Sequence, residues 1–503
     1  MSQRKIGTLL SYIHIVISNT ISILYTPYML RVMGQSEYGL FGTANSFISY
    51  LSILSFGIGG AYIRFNARYR ADCDKEGEKR LNGMFLTIFS ILALFVSIGG
   101  FLFIVLAGRL VKDTFTYTEL YKLRIIMLIM TLNTMCTFLF NVVLMALQAY
   151  ERFICIRLTL IISSVVQPIL NVIALKYGGR AITITVISFA VSLSCYIWFF
   201  CYARAAIQLR FSFKKFCWPE FKELFVFSSF LFINAITDQI NFSTDNIVLS
   251  AMGGTTAVAI YTVGATFKSY FQNFSSAISA VFAPQVNRLV AENHKMCELD
   301  DIFIRVGRVQ FYVVALILIG YVSIGKQFII LWAGQEYIGA YWIGLLLILA
   351  VFVPSFQNIG IQIQQAMNMH KARSIAYFFI ALCNICLTIV FARWWGGVGA
   401  AAATTLTMFV GTVLFMNYYY YKKIGLDIPK FWLEIFSILP CCLPAAVLGI
   451  VINCMLSLDS FFDVLIAAVA ITLVYFLSCW KFSMNQYEKE LISKPICRVL
   501  KTR

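Results

Sequence analysis

Charged residues are scarce in this chain. Asp, Glu, Lys and Arg make up 13% of its 503 residues, whereas 60% are apolar and the mean hydropathy is +0.81. This composition excludes a soluble globular protein. Histidine is scarcer still: His14, His294 and His370 lie far apart in the sequence and predict no metal site.

Further absences exclude whole classes of protein. The longest outer loop that we predict, residues 108–121, contains no histidine and offers little room for the catalytic groups of a glycan polymerase or ligase. Residues 320–327 fit the nucleotide-binding pattern G-x-x-x-x-G-K, but Gln327 stands where a Ser or Thr would bind Mg²⁺. All fourteen cysteines except Cys454 fall in predicted spans or inner loops, which indicates no disulfide framework. We therefore expect a non-enzyme without a cofactor and without ATP-driven transport.

Apolar runs of about 20 residues recur along the whole chain, and such runs predict membrane-spanning helices. The fold class is an all-α, polytopic membrane protein with about fourteen transmembrane helices. We expect no cleavable signal peptide, because the first run is long and lacks a small-residue cleavage site. The predicted spans are 8–31, 39–63, 82–107, 122–148, 153–175, 181–203, 223–251, 256–283, 305–331, 340–366, 373–394, 397–421, 431–456 and 461–480.

The net charge of +17 follows topology rather than a nucleic-acid surface. With a cytoplasmic N-terminus, 30 of the 40 Lys and Arg fall in inner segments and 9 in outer ones. This asymmetry obeys the positive-inside rule, so both termini are predicted to be cytoplasmic. The inner basic loops would then contact anionic phospholipids, and we expect no nucleic-acid partner.

The most informative stretch, residues 228–270, reads as a helix, a Gly253-Gly254 turn and a second helix. Ionisable groups within such spans are costly and normally face a protein interior or a wet cavity. One helical face of the first arm carries polar groups at i, i+4, i+7 and i+11. These groups are Asn234, Asp238, Asn241 and Asp245, and Lys268 lies on the second arm at the depth of Asp238.

Two interpretations of these charges stay open. Asp238 and Lys268 could form a structural ion pair that fixes the two helices together. Alternatively, Lys268 contacts an anionic substrate while Asp238 or Asp245 binds H⁺ or Na⁺. Both interpretations hold if the Asp238–Lys268 ion pair opens and closes during transport.

Other polar residues are candidates for a transport path. Arg31 lies near the predicted outer surface, where snorkelling to head groups is the ordinary behaviour of an arginine. Asn141 on the fourth span, and Asn358 and Gln362 on the tenth, belong to groups of amides that are too dense to face lipid. We therefore add these residues to Lys268, Asn234 and Asn241 as candidate substrate contacts.

An internal repeat predicts two lobes. Leu30-x-x-Met33-Gly34 recurs as Leu249-x-x-Met252-Gly253, and Gly178-Gly179 recurs as Gly396-Gly397, at nearly the same offset. The offset spans six helices, so the halves have the same orientation. We predict two pseudo-symmetric six-helix lobes, residues 1–210 and 211–425, with a pathway at their interface. Residues 426–503 add spans 13 and 14 and a basic cytoplasmic tail.

Several segments resemble the polysaccharide and lipid-linked oligosaccharide flippases of the multidrug, oligosaccharidyl-lipid and polysaccharide exporter superfamily. The resemblance covers about residues 5–480. The segments that carry it are PYMLRVMGQSEYGLF (27–41), SFGIGGAYIR (55–64), DNIVLSAMGGTTAVAIY (245–261), residues 365–373 and WGGVGAA (395–401).

The resemblance implies a transporter that alternates between inward-open and outward-open states. Its substrate would be an undecaprenyl-pyrophosphate-linked oligosaccharide, moved across the bacterial cytoplasmic membrane for O-antigen or capsule synthesis. Related flippases hold the pyrophosphate with cationic residues, and here Lys268 is the central cation. We expect a monomer. The alternative is an ion-coupled drug or cation antiporter of the same superfamily, although the first six spans lack the carboxylates it would need.

Overall fold

The protein is predominantly helical in the part that the computed structural model describes, which is residues 3–55, 58–213, 218–292, 296–367, 369, 371–456, 458–491 and 493. A few helical side chains, that of Asn234 among them, lie outside the description. The helices are α1 Gln3–Ser52, α2 Ile58–Ala71, α3 Lys75–Leu110, α4 Tyr117–Ala149, α5 Phe153–Lys176, α6 Ala181–Ile207, α7 Trp218–Ala291, α8 Met296–Trp332, α9 Ala340–Phe356, α10 Asn358–Ala366, α11 Lys371–Met408, α12 Met416–Tyr419, α13 Ile428–Phe436, α14 Leu439–Met455 and α15 Phe461–Phe482. Two π-helical segments, Phe409–Phe415 and Tyr420–Ile424, flank α12.

Glycines break the three longest helical stretches. Gly34 (φ 74°), Gly254 (φ 71°) and Gly396 (φ 56°) have the positive φ that side chains with a Cβ rarely adopt. Among the described residues, nine helical stretches are long and apolar enough to cross a membrane, and two bent pairs would each make one more span. Dividing three of the nine at these glycines brings the total to fourteen, which confirms the predicted number.

The glycine positions also bear on the internal repeat. Gly178 (φ 84°) and Gly396 both adopt positive φ and are matched residues of the predicted repeat. The sequence repeat matches Gly34 with Gly253. In the structure, the glycine that shares the positive φ of Gly34 is the next residue, Gly254. The same backbone break therefore occurs at corresponding places in both halves of the chain.

By its internal contacts the structure forms two compact units. The first comprises Met1–Thr262 with Ala392–Gly397, and the second comprises Val263–Phe391 with Val398–Arg503. The first unit has a core of buried apolar side chains from α1 to α6, such as Phe85, Phe89 and Phe138. The boundaries at residues 210 and 425, which rest on the repeat, stay a prediction.

A buried ionic cluster ties the end of the second unit together. Arg308 on α8 is 5% exposed, and its Nε lies 2.7 Å from Glu488 Oε1. The same guanidinium donates to Glu434 Oε2 at 2.8 Å and to the Ser483 carbonyl at 3.0 Å. Tyr312 completes the set, with its hydroxyl 2.9 Å from Ser483 Oγ. We call these five residues the Arg308 cluster; it holds α13 and the segment after α15 on α8.

We predict that Arg308→Ala lowers the free energy of unfolding by about 3–5 kcal/mol, because it leaves the Glu488 carboxylate buried without its counter-ion. The measurement is thermal unfolding of the detergent-purified protein. Arg305→Ala is the matched control, because Arg305 is exposed on the same helix and stacks on the Tyr487 ring. Equal losses of stability in the two variants would contradict the prediction.

Candidate functional site

The predicted polar face of α7 is partly buried. Asn241 and Asp245 are 2% and 1% exposed. Asp238, one turn earlier, is exposed. The side chain of Asn234 lies outside the described residues, so its place on this face stays a prediction. All described members of the face belong to the first compact unit.

Asp245 links the two arms of α7 below the Gly254 turn. The Tyr261 hydroxyl on the second arm donates to Asp245 Oδ2 on the first arm. Both side chains are almost fully buried. The carboxylate is thus part of the scaffold of the hairpin, whatever further role it has.

A row of polar side chains joins the second half of α1 to α7. Asn246 Nδ2 donates to Ser46 Oγ at 3.0 Å, and the Tyr50 and Thr244 hydroxyls lie 2.5 Å apart. One turn further, Ser49 Oγ donates to Ser243 Oγ at 3.4 Å and accepts from Gln239 Nε2. We call this set the α1–α7 seam, and it comprises Ser46, Ser49, Tyr50, Gln239, Ser243, Thr244 and Asn246.

Small residues bring the two helices close beside the seam. A Cβ at Gly39 would lie 1.9 Å from the Thr255 carbonyl oxygen, and one at Gly42 would lie 3.0 Å from Thr262 Oγ1. Both glycines are on α1, one turn apart, and Thr255 and Thr262 are on the second arm of α7. Close approach through small residues is how helices associate in lipid. The second half of α1 therefore packs against both arms of the hairpin.

Polar contacts also gather at the end of the seam near Gly34 and Gly254. Glu119 accepts from Ser36 Oγ at 2.5 Å and from Thr255 Oγ1 at 3.1 Å, while it caps the start of α4. Thr114 Oγ1 donates to the Ser250 carbonyl at 2.8 Å. The loop before α4 thereby closes over the α7 turn.

The strength of the seam can be estimated from its chemistry. Every member is neutral, and hydrogen bonds between membrane helices average about 0.6 kcal/mol each. Four such bonds between α1 and α7 would contribute roughly 2–3 kcal/mol. A contact of this size orders two helices but lies within the range that a ligand can overcome.

The candidates in the second compact unit are buried or half-buried. Lys268, on the second arm of α7, is 6% exposed, and Asn358 and Gln362 on α10 are half-buried. Next to them, Gln357 Nε2 donates to Asn417 Oδ1 at 2.9 Å, and the Trp432 indole donates to the same oxygen at 3.0 Å. Lys268 and the two aspartates lie in different compact units, so the proposed Asp238–Lys268 pair stays a prediction.

The remaining candidates lie elsewhere in the first unit. Arg31 is exposed on α1 before the Gly34 break, and Asn141 is half-buried on α4. Sequence reasoning missed the serines of the seam, because hydroxyl side chains on a helix are equally common as packing residues. The sequence does contain one signal for this part of α1, because Phe47-x-x-Tyr50 recurs as Phe267-x-x-Tyr270 at an offset of 220. Asn417 was missed as well.

Comparison with known proteins agrees with this architecture. A family model described as polysaccharide biosynthesis protein matches residues 6–290. The uncharacterized membrane protein EpsK of Bacillus subtilis (strain 168) is 19% identical in an alignment 502 residues long that covers 95% of each chain.

Two solved structures share the fold. The lipid II flippase MurJ, in an inward closed conformation, is 17% identical, with 95% of this chain and 98% of that chain covered and a TM-score of 0.72. An inward-facing multidrug resistance MATE family transporter of the MOP superfamily is 14% identical, with coverage of 84% and 95% and a TM-score of 0.66. Because the family model matches more than half of the sequence, the chain belongs to the polysaccharide biosynthesis protein family.

Proposed function

We propose that this protein is a flippase that moves a lipid-linked oligosaccharide across the bacterial cytoplasmic membrane for surface polysaccharide synthesis. The observation that carries the proposal is Asp238, which is exposed on a candidate membrane-spanning helix. It lies about 24 Å along α7 from the Gly254 turn, at a rise of about 1.5 Å per residue. A carboxylate at that depth faces water rather than lipid.

A wet path suits a sugar. Each hydroxyl left unsatisfied in hydrocarbon costs about 2–7 kcal/mol, so an oligosaccharide needs polar partners throughout its passage. The candidate amides Asn141, Asn358 and Gln362 are half-buried, so part of each remains accessible. The lipid tail needs no such path, since it stays in hydrocarbon.

We assign distinct roles to the charged candidates. Lys268 would attract the pyrophosphate of an undecaprenyl-linked substrate, with Arg31 as a contact near the outer surface. Asp238 would bind the coupling H⁺ or Na⁺, with Asp245 as the second candidate. One charge moved across 100 mV supplies roughly 2.3 kcal/mol, which is comparable to the strength estimated for the α1–α7 seam.

The seam supports an alternating-access mechanism. It joins α1 to the stretch of α7 between Asp238 and the Gly254 turn, and the positive-inside pattern predicts that this turn faces outward. Closing it would block the outer side, and opening it would release the glycan there. The MurJ and MATE structures named above, in inward closed and inward-facing conformations, support such a cycle for this fold.

An ion-coupled antiporter for drugs or cations is the second candidate. The buried carboxylate of Asp245 in the first compact unit favours it, because an antiporter binds its ion or cationic drug through carboxylates in the membrane. The larger share of this chain covered by the lipid II flippase than by the MATE transporter favours the flippase.

In a host that lacks this protein, we predict that lipid-linked glycan accumulates on the inner leaflet and that the wild-type chain restores surface glycan. Lys268→Ala should fail to restore it, because the pyrophosphate loses its cation, whereas Lys268→Arg should restore it at least in part. Lys326→Ala is the matched control, since Lys326 is exposed on α8. Normal surface glycan with inserted Lys268→Ala would contradict the assignment.

For the carboxylates, we predict that Asp238→Asn lowers the rate of glycan export by about tenfold, because the group that binds the ion can no longer ionise. Asp245→Asn should have a smaller effect, since an asparagine oxygen can still accept from Tyr261. The measurement is the initial rate of glycan appearance at the surface after induction. Equal and mild effects of the two changes would indicate packing roles for both.

A further inference from the structure

A polar cavity lies in the first compact unit, away from the α1–α7 seam. Its volume is about 310 Å³, which is at the lower end of the range for small-ligand pockets. Three cationic residues line it, Lys75, Lys79 and Arg210, together with Glu78, Asn82 and Tyr150. The lining therefore combines three positive charges with one negative charge.

The cavity is held in shape by hydrogen bonds from several helices. Asn82 Nδ2 donates to the Arg210 carbonyl at 3.0 Å, and Tyr62 donates to Asn82 Oδ1 at 2.6 Å. The backbone NH of Ser212 donates to the Lys79 carbonyl at 2.9 Å, which lays the segment after α6 directly on α3. The walls thus form a built pocket rather than a chance gap between loops.

The single carboxylate of the cavity already has partners. Glu78 Oε1 accepts from the Tyr150 hydroxyl at 2.6 Å and from Asn66 Nδ2 at 3.2 Å. Burial and the neighbouring Glu78 raise the pKa of Tyr150 to about 12, so this phenol stays protonated at neutral pH. Lys79 also forms an ion pair with Glu76, whose side chain is exposed to solvent, and exposed ion pairs contribute little to stability. Lys79 is therefore available to an incoming anion at small cost.

The location of the cavity indicates where its ligand comes from. α4 ends at Ala149 and α6 ends at Ile207, and the lining residues Tyr150 and Arg210 follow these ends within three residues. The cavity opens where two candidate membrane spans stop, which is the level of the lipid head groups. The positive-inside pattern predicts that this is the cytoplasmic side.

We propose that this cavity binds a phosphate group, presented by an anionic phospholipid head group of the inner leaflet. Lys75 and Lys79 lie one turn apart at the start of α3, and Arg210, in the segment after α6, lines the same cavity. Ammonium and guanidinium groups form charge-assisted hydrogen bonds with phosphate oxygens, and an arginine can do so with two at once. The site is separate from the path proposed for the glycan.

The test uses the purified full-length protein in neutral detergent and fluorescent phosphatidylglycerol as the probe, with binding measured by anisotropy. The pocket variant combines Lys75→Gln, Lys79→Gln and Arg210→Gln. The control variant removes the same charge from exposed residues outside the cavity, through Arg68→Gln, Arg204→Gln and Lys222→Gln. A third variant, Lys75→Arg with Lys79→Arg and Arg210→Lys, keeps the charge.

We expect the pocket variant to bind phosphatidylglycerol at least about tenfold more weakly than wild type, and the control and charge-keeping variants to bind nearly as well as wild type. Fluorescent phosphatidylcholine, which is zwitterionic, should bind weakly to all four proteins. Displacement of the probe by inorganic phosphate would show that the phosphate group alone suffices for binding. A lack of displacement would show that the rest of the lipid is required. Equal losses in the pocket and control variants, or equal binding of the two lipids, would overturn the proposal.

Discussion

The structure depends on one constraint: a polar group at bilayer depth must be satisfied by protein or by water, because lipid offers no partner. Several buried polar side chains of the first compact unit meet it by pairing with each other. Asp245 accepts from Tyr261, and Ser46 accepts from Asn246. Asp238 is exposed on the same helix, and we propose that it borders the water-filled path. The difference between these positions on α7 indicates where the transport path runs.

Two kinds of polar contact with different consequences follow from that constraint. The Arg308 cluster is ionic and buried, and losing one partner leaves an uncompensated charge, so it suits a permanent junction. The α1–α7 seam is made of neutral hydroxyl and amide groups, whose separate bonds are weak. A transporter needs both, because its bundles must stay intact while the contacts that close the path form and break.

The fold could be predicted from the sequence because a segment that spans lipid must be a long apolar helix. The number of helices then follows from the number of long apolar runs. The break at Gly254 was foreseen to within one residue, because adjacent glycines interrupt an otherwise continuous apolar pattern. The site was foreseen less well. Helical spacing places Asp238 and Asp245 on the same face of α7 and does not distinguish them, yet Asp238 is exposed and Asp245 is buried. Only the position of neighbouring helices distinguishes them, and Ser46, Ser49 and Arg308 gained their roles from partners far away in sequence.

The central claim is that the α1–α7 seam opens during transport. The hydroxyl oxygens of Ser49 and Ser243 lie 3.4 Å apart, so two thiols at these positions are within reach of a disulfide. The most direct measurement is glycan export by the Ser49→Cys/Ser243→Cys double variant before and after reduction, with each single variant as the control for native cysteines. The account predicts that the oxidised double variant stops export and that reduction restores it. Full export by fully cross-linked protein would contradict the account.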